Sequence, residues 1–353
     1  MHKNSKIYIA GHTGLVGSAI HRRLLLSGYN NIIVKSHSAL DLTSQAAVEE
    51  FFLSQKPEYV FLAAARVGGI MANYNYPAEF LYENIMISAN VIHASYKNDV
   101  KKLINLGSSC IYPNDISCKI TENDLLSSKL EKSNEAYAIA KISALKLCEY
   151  YNRQYKTNYL SLMPTNQYGI NDNFNLETAH LLPMVMRKFH LAKMYANDNY
   201  GEIVKDLKKY KVGWGYDEEL DFDDCGTIER VLNKLGIFKD CVILWGDGSV
   251  YRELMSADDL ADACVYFMNN IKAQEIGSCV NITSGKDIQL NDLFMLVKNI
   301  VGFAGDIKYD SKMPNGTTRK LMSDERLKKF GWKPKISLLQ GIADVYNWYK
   351  EQV

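Results

Sequence analysis

Two short stretches hold residues whose types and spacing can move protons: Leu103–Pro113, LINLGSSCIYP, and Asn134–Ser143, NEAYAIAKIS. In the second, Tyr137 and Lys141 are four apart, so on a helix they share one face, a turn from each other. A tyrosine ordinarily titrates near ~10, too high to trade protons readily at neutrality, and a lysine cation beside it stabilises the phenolate and lowers that value. Such a pair works as a general acid and base. In the first stretch an apolar run hands over to Ser108, Ser109 and Cys110, three small groups able to exchange protons at the mouth of a buried strand. The Ser108 hydroxyl can donate to a carbonyl oxygen while Tyr137 protonates that oxygen. If the backbone stays extended there, Ser108 and Cys110 lie on one side and Ser109 drops out as a structural partner. A Tyr-x-x-x-Lys pair recurs by chance, so its meaning rests on the elements that position it.

Those elements begin with IAGHTGLVGSAI, which follows the first apolar run and carries Gly11, Gly14 and Gly17 three apart. Gly11 permits a tight turn, Gly14 lets the backbone approach a pyrophosphate at a helix N-terminus, and Gly17 allows close helix-to-strand packing. Thr13, Leu15 and Val16 complete a turn that reads as a dinucleotide site. At the end of the second strand, IIVKSHS, Lys35 and His37 occupy the region where an acid would bind an adenosine 2′-hydroxyl, which favours NADP(H) over NAD(H). From KIYIA to YLSLMPTN, short β-branched or aromatic runs alternate with longer amphipathic ones. That rhythm predicts an α/β fold with a doubly wound parallel sheet of Rossmann type over residues 1–166. Beyond Asn166 helices are predicted at about 176–194, 256–270, 289–301 and 337–350, among the strands VILWG and SCVNITSG. Residues 167–353 therefore read as a smaller mixed α/β substrate-binding domain, with segments near 255–284 returning to the first.

One segment breaks the pattern. Ala196 to Asp240 contains the acidic run DEELDFDD, Asp217–Asp224, and the amphipathic TIERVLNKLGIF, and reads as an insertion. The acidic run lacks the glycine and terminal glutamate of a calcium loop and is expected to be a solvated face. The 353 residues carry 41 basic against 40 acidic side chains, a net charge of +1, which gives no electrostatic case for general binding to nucleic acid or membrane. No apolar run approaches the ~20 residues that span a bilayer, so a soluble, cytoplasmic protein is expected. The seven cysteines are scattered and form no C-x-x-C pair, so neither a disulfide framework nor a metal site is indicated.

Several longer motifs, LAAARVGGIMANYNYPAEFLYEN, LGSSCIYP, NEAYAIAKISALKLCEYYNRQY, MPTNQYG, DNFN and GTTRKLMS, resemble in this order the GDP-L-fucose synthase family of extended short-chain dehydrogenases/reductases. The resemblance covers nearly the whole chain outside Ala196–Asp240. It implies NADPH-dependent reduction of the C4 ketone of a GDP-4-keto sugar, with inversion at C3 and C5. Ser108, Tyr137 and Lys141 would be the triad, and Cys110 and His180 the base and acid of the inversions. Both carbons flank the ketone, so loss of a proton gives an enolate whose charge rests on the C4 oxygen, where Ser108 and Tyr137 can stabilise it.

The resemblance also implies that Asp41, Leu42, Ala63, Ala64, Ala65, Lys141, Pro164, Asn166, Gln167 and His180 line the cofactor. Ser109, Asn166, Lys188, Trp245, Arg252 and Asn315 would approach the GDP-sugar. Helices near 78–98 and 134–156, with Tyr82, Ile85, Leu147 and Tyr150, imply a homodimer. Thr13 and His37 depart from arginines frequent in the family, and Ser256 from a histidine. Three other readings stay open. One is a stand-alone C4 reductase of a related sugar such as a heptose, without epimerisation. Another is a dehydratase or 4-epimerase of the same fold, against which stand Ser109 and Cys110 in place of an Asp-Glu pair. The third is a nucleotide sensor without catalysis, against which stands the intact triad.

Overall fold

The computed structural model describes residues 1–353 apart from 117–118 and 314–317, and leaves undescribed the side chains of 70 and 71. The chain forms two compact units. The first comprises Met1–Gln167, Glu253–Lys286 and Leu321–Ile336, the second Tyr168–Arg252, Asp287–Lys320 and Ser337–Val353.

In the first unit the chain runs β1 (Ile7–Ala10), α1 (Leu15–Leu26), β2 (Ile32–Val34), α2 (Gln45–Gln55), β3 (Tyr59–Leu62), α3 (Ile70–Asn75), α4 (Pro77–Lys97), β4 (Lys102–Leu106), α5 (Glu135–Tyr155) and β5 (Tyr159–Pro164). The sheet order is β2-β1-β3-β4-β5 followed by the strand Val280–Ile282, and every pairing is parallel. This is the α/β doubly wound arrangement, with its reversal of strand order between β1 and β3. Local chemistry sets the ends of the helices. Ser44 caps α2 by accepting from the Ala47 N–H at 3.4 Å, and Pro77 opens α4, where its missing N–H costs nothing.

β1 is apolar and buried throughout, as a strand covered on both faces must be. Its alternation divides the core. Ile7 and Ile9 pack with Ile20 and Leu24 of α1 and with Leu260 and Phe267 of the helix Ala257–Asn270. Tyr8 and Ala10 face the other way, against Phe52 of α2, Val91 of α4 and Ala144 of α5. The returning segments are held by Glu253, a fully buried carboxylate. It accepts from the Ser284, Gly285 and Met322 N–H groups at 2.7, 3.1 and 3.1 Å and from the Thr283 hydroxyl. The segment Leu321–Ile336 is a return to this unit that no periodicity announces.

The second unit contains α6 (Leu181–Ala196), α7 (Tyr200–Lys209), α8 (Cys225–Lys234), the parallel pair Cys241–Trp245 with Asp306–Asp310, and the helices Leu290–Val301 and Leu338–Gln352. α6 begins five residues later than the helical spacing from 176 predicts. The cause is local: Asn173 accepts from the Asn175 N–H, and Asn175 from those of Glu177 and Thr178, each at 3.0 Å. Asparagine side chains that satisfy the backbone in this way compete with the helix.

The segment Ala196–Asp240 folds as α7 and α8. Arg187 of α6, fully buried, holds α7 in place. Its Nε pairs with Asp206 at 2.8 Å, and its other nitrogens donate to the carbonyls of Phe174, Lys211 and Tyr210 at 2.9, 2.8 and 2.7 Å. The acidic run does more than face solvent. Asp217 accepts from the Val212 and Gly213 N–H groups, both at 2.8 Å, and Asp224 caps α8 through the Gly226 N–H at 2.8 Å.

Candidate active site

The glycine turn follows β1 directly. Gly11 sits at φ +83°, a conformation that favours glycine, and a Cβ there would lie 2.7 Å from the Ala64 backbone. A Cβ on Gly17 would overlap the Gly11 carbonyl. Gly14 begins α1, accepting from the Ser18 N–H at 2.9 Å, and no acid occupies the first turn of the helix. Backbone N–H groups at the positive end of a helix favour an anion. His12 Nδ1, inside the turn, is a buried polar atom without a protein partner. The cradle, the close approach of Ala63 and Ala64 and this orphaned nitrogen fit the pyrophosphate of a dinucleotide. Lys35 and His37 lie exposed just past β2. The Asp41 carboxylate is held by the Thr43 N–H and hydroxyl at 2.9 and 2.7 Å, which lowers its pKa, and Leu42 is buried. Gly17→Ala is expected to weaken dinucleotide binding at least ~10-fold in a fluorescence titration with NADPH as the probe, equivalent to ~1.4 kcal/mol. Unchanged affinity would show that the close packing has no bearing on the cofactor.

β4 ends at Leu106, and Ser108 remains extended at φ −161°. The chain then leaves the strand conformation: Ser109–Ile111 is a turn of 3₁₀ helix, with the Ser108 hydroxyl accepting from the Cys110 N–H at 3.3 Å. The two-residue alternation expected for Ser108 and Cys110 therefore does not apply. The turn still leaves Cys110 within electrostatic reach of both Tyr137 and Lys141, which share a face of α5. Cys110 is buried in a cluster with Ile111, Ala138 and Met163, on which Tyr137 packs.

The Lys141 ammonium donates to the Leu106 carbonyl at 2.8 Å and stands 5.6 Å from the centroid of the Tyr137 ring. Burial lowers its pKa to about 8, opposed by the Cys110 sulfur. The same burial raises the pKa of Tyr137 well above its ordinary value, and Cys110 adds to the rise. The depression expected from a lysine neighbour is thus overridden by desolvation, and Tyr137 stays protonated at neutral pH. A protonated phenol is the form that can donate to a ketone oxygen.

Sequence reasoning missed the support behind this tyrosine. Phe80 of α4 stands edge-on to Tyr137, with ring centroids 6.4 Å apart, and Arg66 covers Phe80 at 5.5 Å while pairing with Glu79 and Glu83. The one arginine and two acids in ARVGG and AEFLYEN were the available signal. Past β5 and Pro164, Thr165 and Asn166 donate to the Glu253 carbonyl at 3.3 and 2.9 Å. Gln167 donates to the Thr165 carbonyl at 3.0 Å, leaving its Oε1 buried without a partner.

The second unit carries the other candidates on separate elements. His180 is the residue before α6; the residue is exposed overall, while desolvation of its ring by the protein packed around it lowers its pKa from the ordinary value. Lys188 lies buried, donating to the carbonyls of Leu235 and Ile243 at 2.7 and 3.3 Å, and burial lowers its pKa to about 8. Trp245, 45% exposed, ends a strand, and Arg252 donates to the Tyr251 carbonyl at 2.7 Å. Ser256, in the first unit, caps the helix Ala257–Asn270 through the Asp258 N–H. Asn315 lies outside the described residues. Among the described residues no group of three or more His, Cys, Asp or Glu could hold a metal ion, and no helix is long and apolar enough to cross a membrane.

The model of the NAD-dependent epimerase/dehydratase family matches residues 7–208 and 213–283. A GDP-L-fucose synthase of Arabidopsis thaliana is 44% identical over 351 residues, covering 99% of this chain and 95% of that protein. Among solved structures, a GDP-6-OMe-4-keto-L-xylo-heptose reductase from C. jejuni is 40% identical with a TM-score of 0.93, covering 100% of this chain and 99% of that one. A GDP-mannoheptose C4 reductase from Campylobacter jejuni with NADP bound is 40% identical with a TM-score of 0.86, covering 99% of each chain.

Proposed function

Since the chain belongs to the GDP-L-fucose synthase family, within the NAD-dependent epimerases and dehydratases, we propose that it reduces the C4 ketone of a GDP-4-keto sugar with NADPH and inverts the carbons on either side of that ketone. The observation that carries this reading is the grouping, in one unit, of Ser108, Cys110, Tyr137 and Lys141 at the carboxyl end of β4, where the Lys141 ammonium bonds the Leu106 carbonyl and Tyr137 packs on the cluster that holds Cys110. The dinucleotide, when bound in the glycine cradle, supplies the hydride. Ser108 donates a hydrogen bond to the C4 oxygen, and Tyr137 passes its proton to that oxygen as the alcohol forms. For inversion, Cys110 as its thiolate takes the proton from a carbon beside the ketone, the enolate charge rests on the oxygen held by Ser108 and Tyr137, a protonated His180 returns a proton to the opposite face, and both groups then exchange protons with solvent. Trp245 stacks on the nucleotide and Arg252 meets its diphosphate, chemistry for which their side chains are suited, and Lys188 approaches the GDP-sugar on leaving the Leu235 and Ile243 carbonyls. Ser109, Asn166 and Asn315 complete the sugar contacts. The exposed Lys35 and His37 support NADPH over NADH.

A homodimer in the cytoplasm is the assembly this reading carries. α4 and α5 pack on each other and present Tyr82 and Tyr150, 63% and 46% exposed, beside the half-buried Ile85 and Leu147.

The resemblance to two heptose reductases favours a second reading, reduction of a GDP-4-keto-heptose without inversion. Turnover in heavy water separates the two. Deuterium at C3 and C5 of the product, lost in Cys110→Ala while the reduction persists, supports the first. A hydride at C4 with no deuterium beside it leaves the second, and no consumption of NADPH with either sugar overturns both.

A further inference from the structure

The inserted segment meets the turn that leads into His180 at two levels. At the base, the buried Arg187 guanidinium ties Asp206, Tyr210 and Lys211 of the insertion to Phe174, six residues before His180. At the tip, the Glu177 carboxylate accepts from the Trp214 N–H at 2.8 Å. The tip is rigidly specified. Trp214 is held at φ +51°, rare for a bulky residue, between Gly213 at +94° and Gly215 at +75°. Asp217 grips the Val212 and Gly213 N–H groups, and a Cβ on Gly213 would collide with the Glu177 side chain. The other end of the bond is equally built. Glu177 sits in a turn closed by the Ala179 N–H to the Asn175 carbonyl at 2.8 Å and by the Asn175 side chain. His180 follows in extended conformation as the residue from which α6 starts. This strained, over-determined loop is bonded, at the surface, to a turn that ends at the residue before a proposed proton carrier, which suits it to a positioning role.

We propose that Glu177 is a positioning residue: by fastening the Gly213–Gly215 tip of the inserted segment to the Asn175–Ala179 turn, it makes the insertion part of the apparatus that orients His180. This rests on the reading of His180 as a proton carrier for the inversion. The carboxylate acts through geometry, so an acceptor of the same length serves in its place. Glu177→Gln keeps an oxygen for the Trp214 N–H, and Glu177→Ala does not.

The test compares the wild-type enzyme with Glu177→Ala, Glu177→Gln and His180→Asn. For each, deuterium wash-in beside the ketone is measured against NADPH consumption, and backbone hydrogen exchange is measured over 172–182 and 210–218. Glu177→Ala is expected to lower the ratio of wash-in to reduction at least ~10-fold and to speed exchange in both segments together, with Glu177→Gln restoring both; ten-fold corresponds to ~1.4 kcal/mol. If Glu177→Ala leaves the ratio unchanged while His180→Asn destroys it, the positioning role is overturned and the role of His180 stands. If His180→Asn leaves wash-in and reduction unchanged, both the inference and the reading beneath it are overturned. Faster exchange in Glu177→Ala with an unchanged ratio shows a fastening that serves stability alone, which also overturns the proposal.

Discussion

Tyr137→Phe is expected to cut the rate of ketone reduction ~10²–10⁴-fold in kcat with little change in KM, the range for loss of a positioned proton donor. The ring remains to pack against Phe80, so folding is spared and only the proton is lost. NADPH consumption at saturating sugar measures the effect, and a variant within ~2-fold of wild type would remove Tyr137 from the mechanism. The pH dependence separates the tyrosine from its neighbour. Burial holds the Tyr137 pKa above its ordinary value, so the phenol does not titrate near neutrality. Lys141 titrates at about 8, so its cation, present below that pH, is lost above it. kcat/KM, which reports groups of the free enzyme, is therefore expected to fall as pH rises through about 8. In Lys141→Arg, whose guanidinium stays charged, that fall disappears from the neutral-to-alkaline range even if the overall rate is lower. A profile identical in both proteins would place the titration elsewhere.

Arg187→Met is expected to destabilise the second unit by about 3–5 kcal/mol, the cost of breaking a buried pair from one side. The reason is the number of groups left behind. Among the described residues the Asp206 carboxylate keeps only the Tyr349 hydroxyl, and the carbonyls of Phe174, Tyr210 and Lys211 lose their common donor inside the protein. Asp206→Leu also leaves a buried charge unpaired, but the guanidinium keeps its three carbonyl acceptors, so its cost is expected to be smaller. Urea unfolding of both variants, followed by circular dichroism, tests the order. A loss below ~1 kcal/mol for Arg187→Met, or a larger one for Asp206→Leu, would show that the cluster is not the anchor of the insertion.

The parallel sheet, the glycine turn and the shared face of Tyr137 and Lys141 are all legible before any coordinates, because each depends on periodicity or on spacing within one element. β1 must be buried on both faces because all four of its residues are apolar. Gly11 and Gly17 are glycines because backbone approaches them. Ser108 stands at the end of an apolar strand, which in a parallel sheet is where ligands meet the protein. α6 starts later than periodicity predicts for a reason also local in character: asparagine side chains at 173 and 175 take the backbone donors that helical periodicity assigns to a first turn.

Other features depended on which distant groups share one volume. Burial, which sequence spacing does not measure, set the direction of the Tyr137 pKa and overrode the lysine beside it. Whether Cys110 followed Ser108 in a strand or a turn depended on the 3₁₀ turn that the Ser108 hydroxyl caps. The insertion looked like a solvated addition, since its acids and lysines mark it as surface. Folding placed Asp206 against Arg187 and the Trp214 N–H on Glu177, contacts across 19 and 37 residues. Residue types and short spacings thus specify the chemistry available to this chain. Its protonation states and the partners of its inserted segment follow from desolvation and long-range pairing, which exist only once the chain has folded.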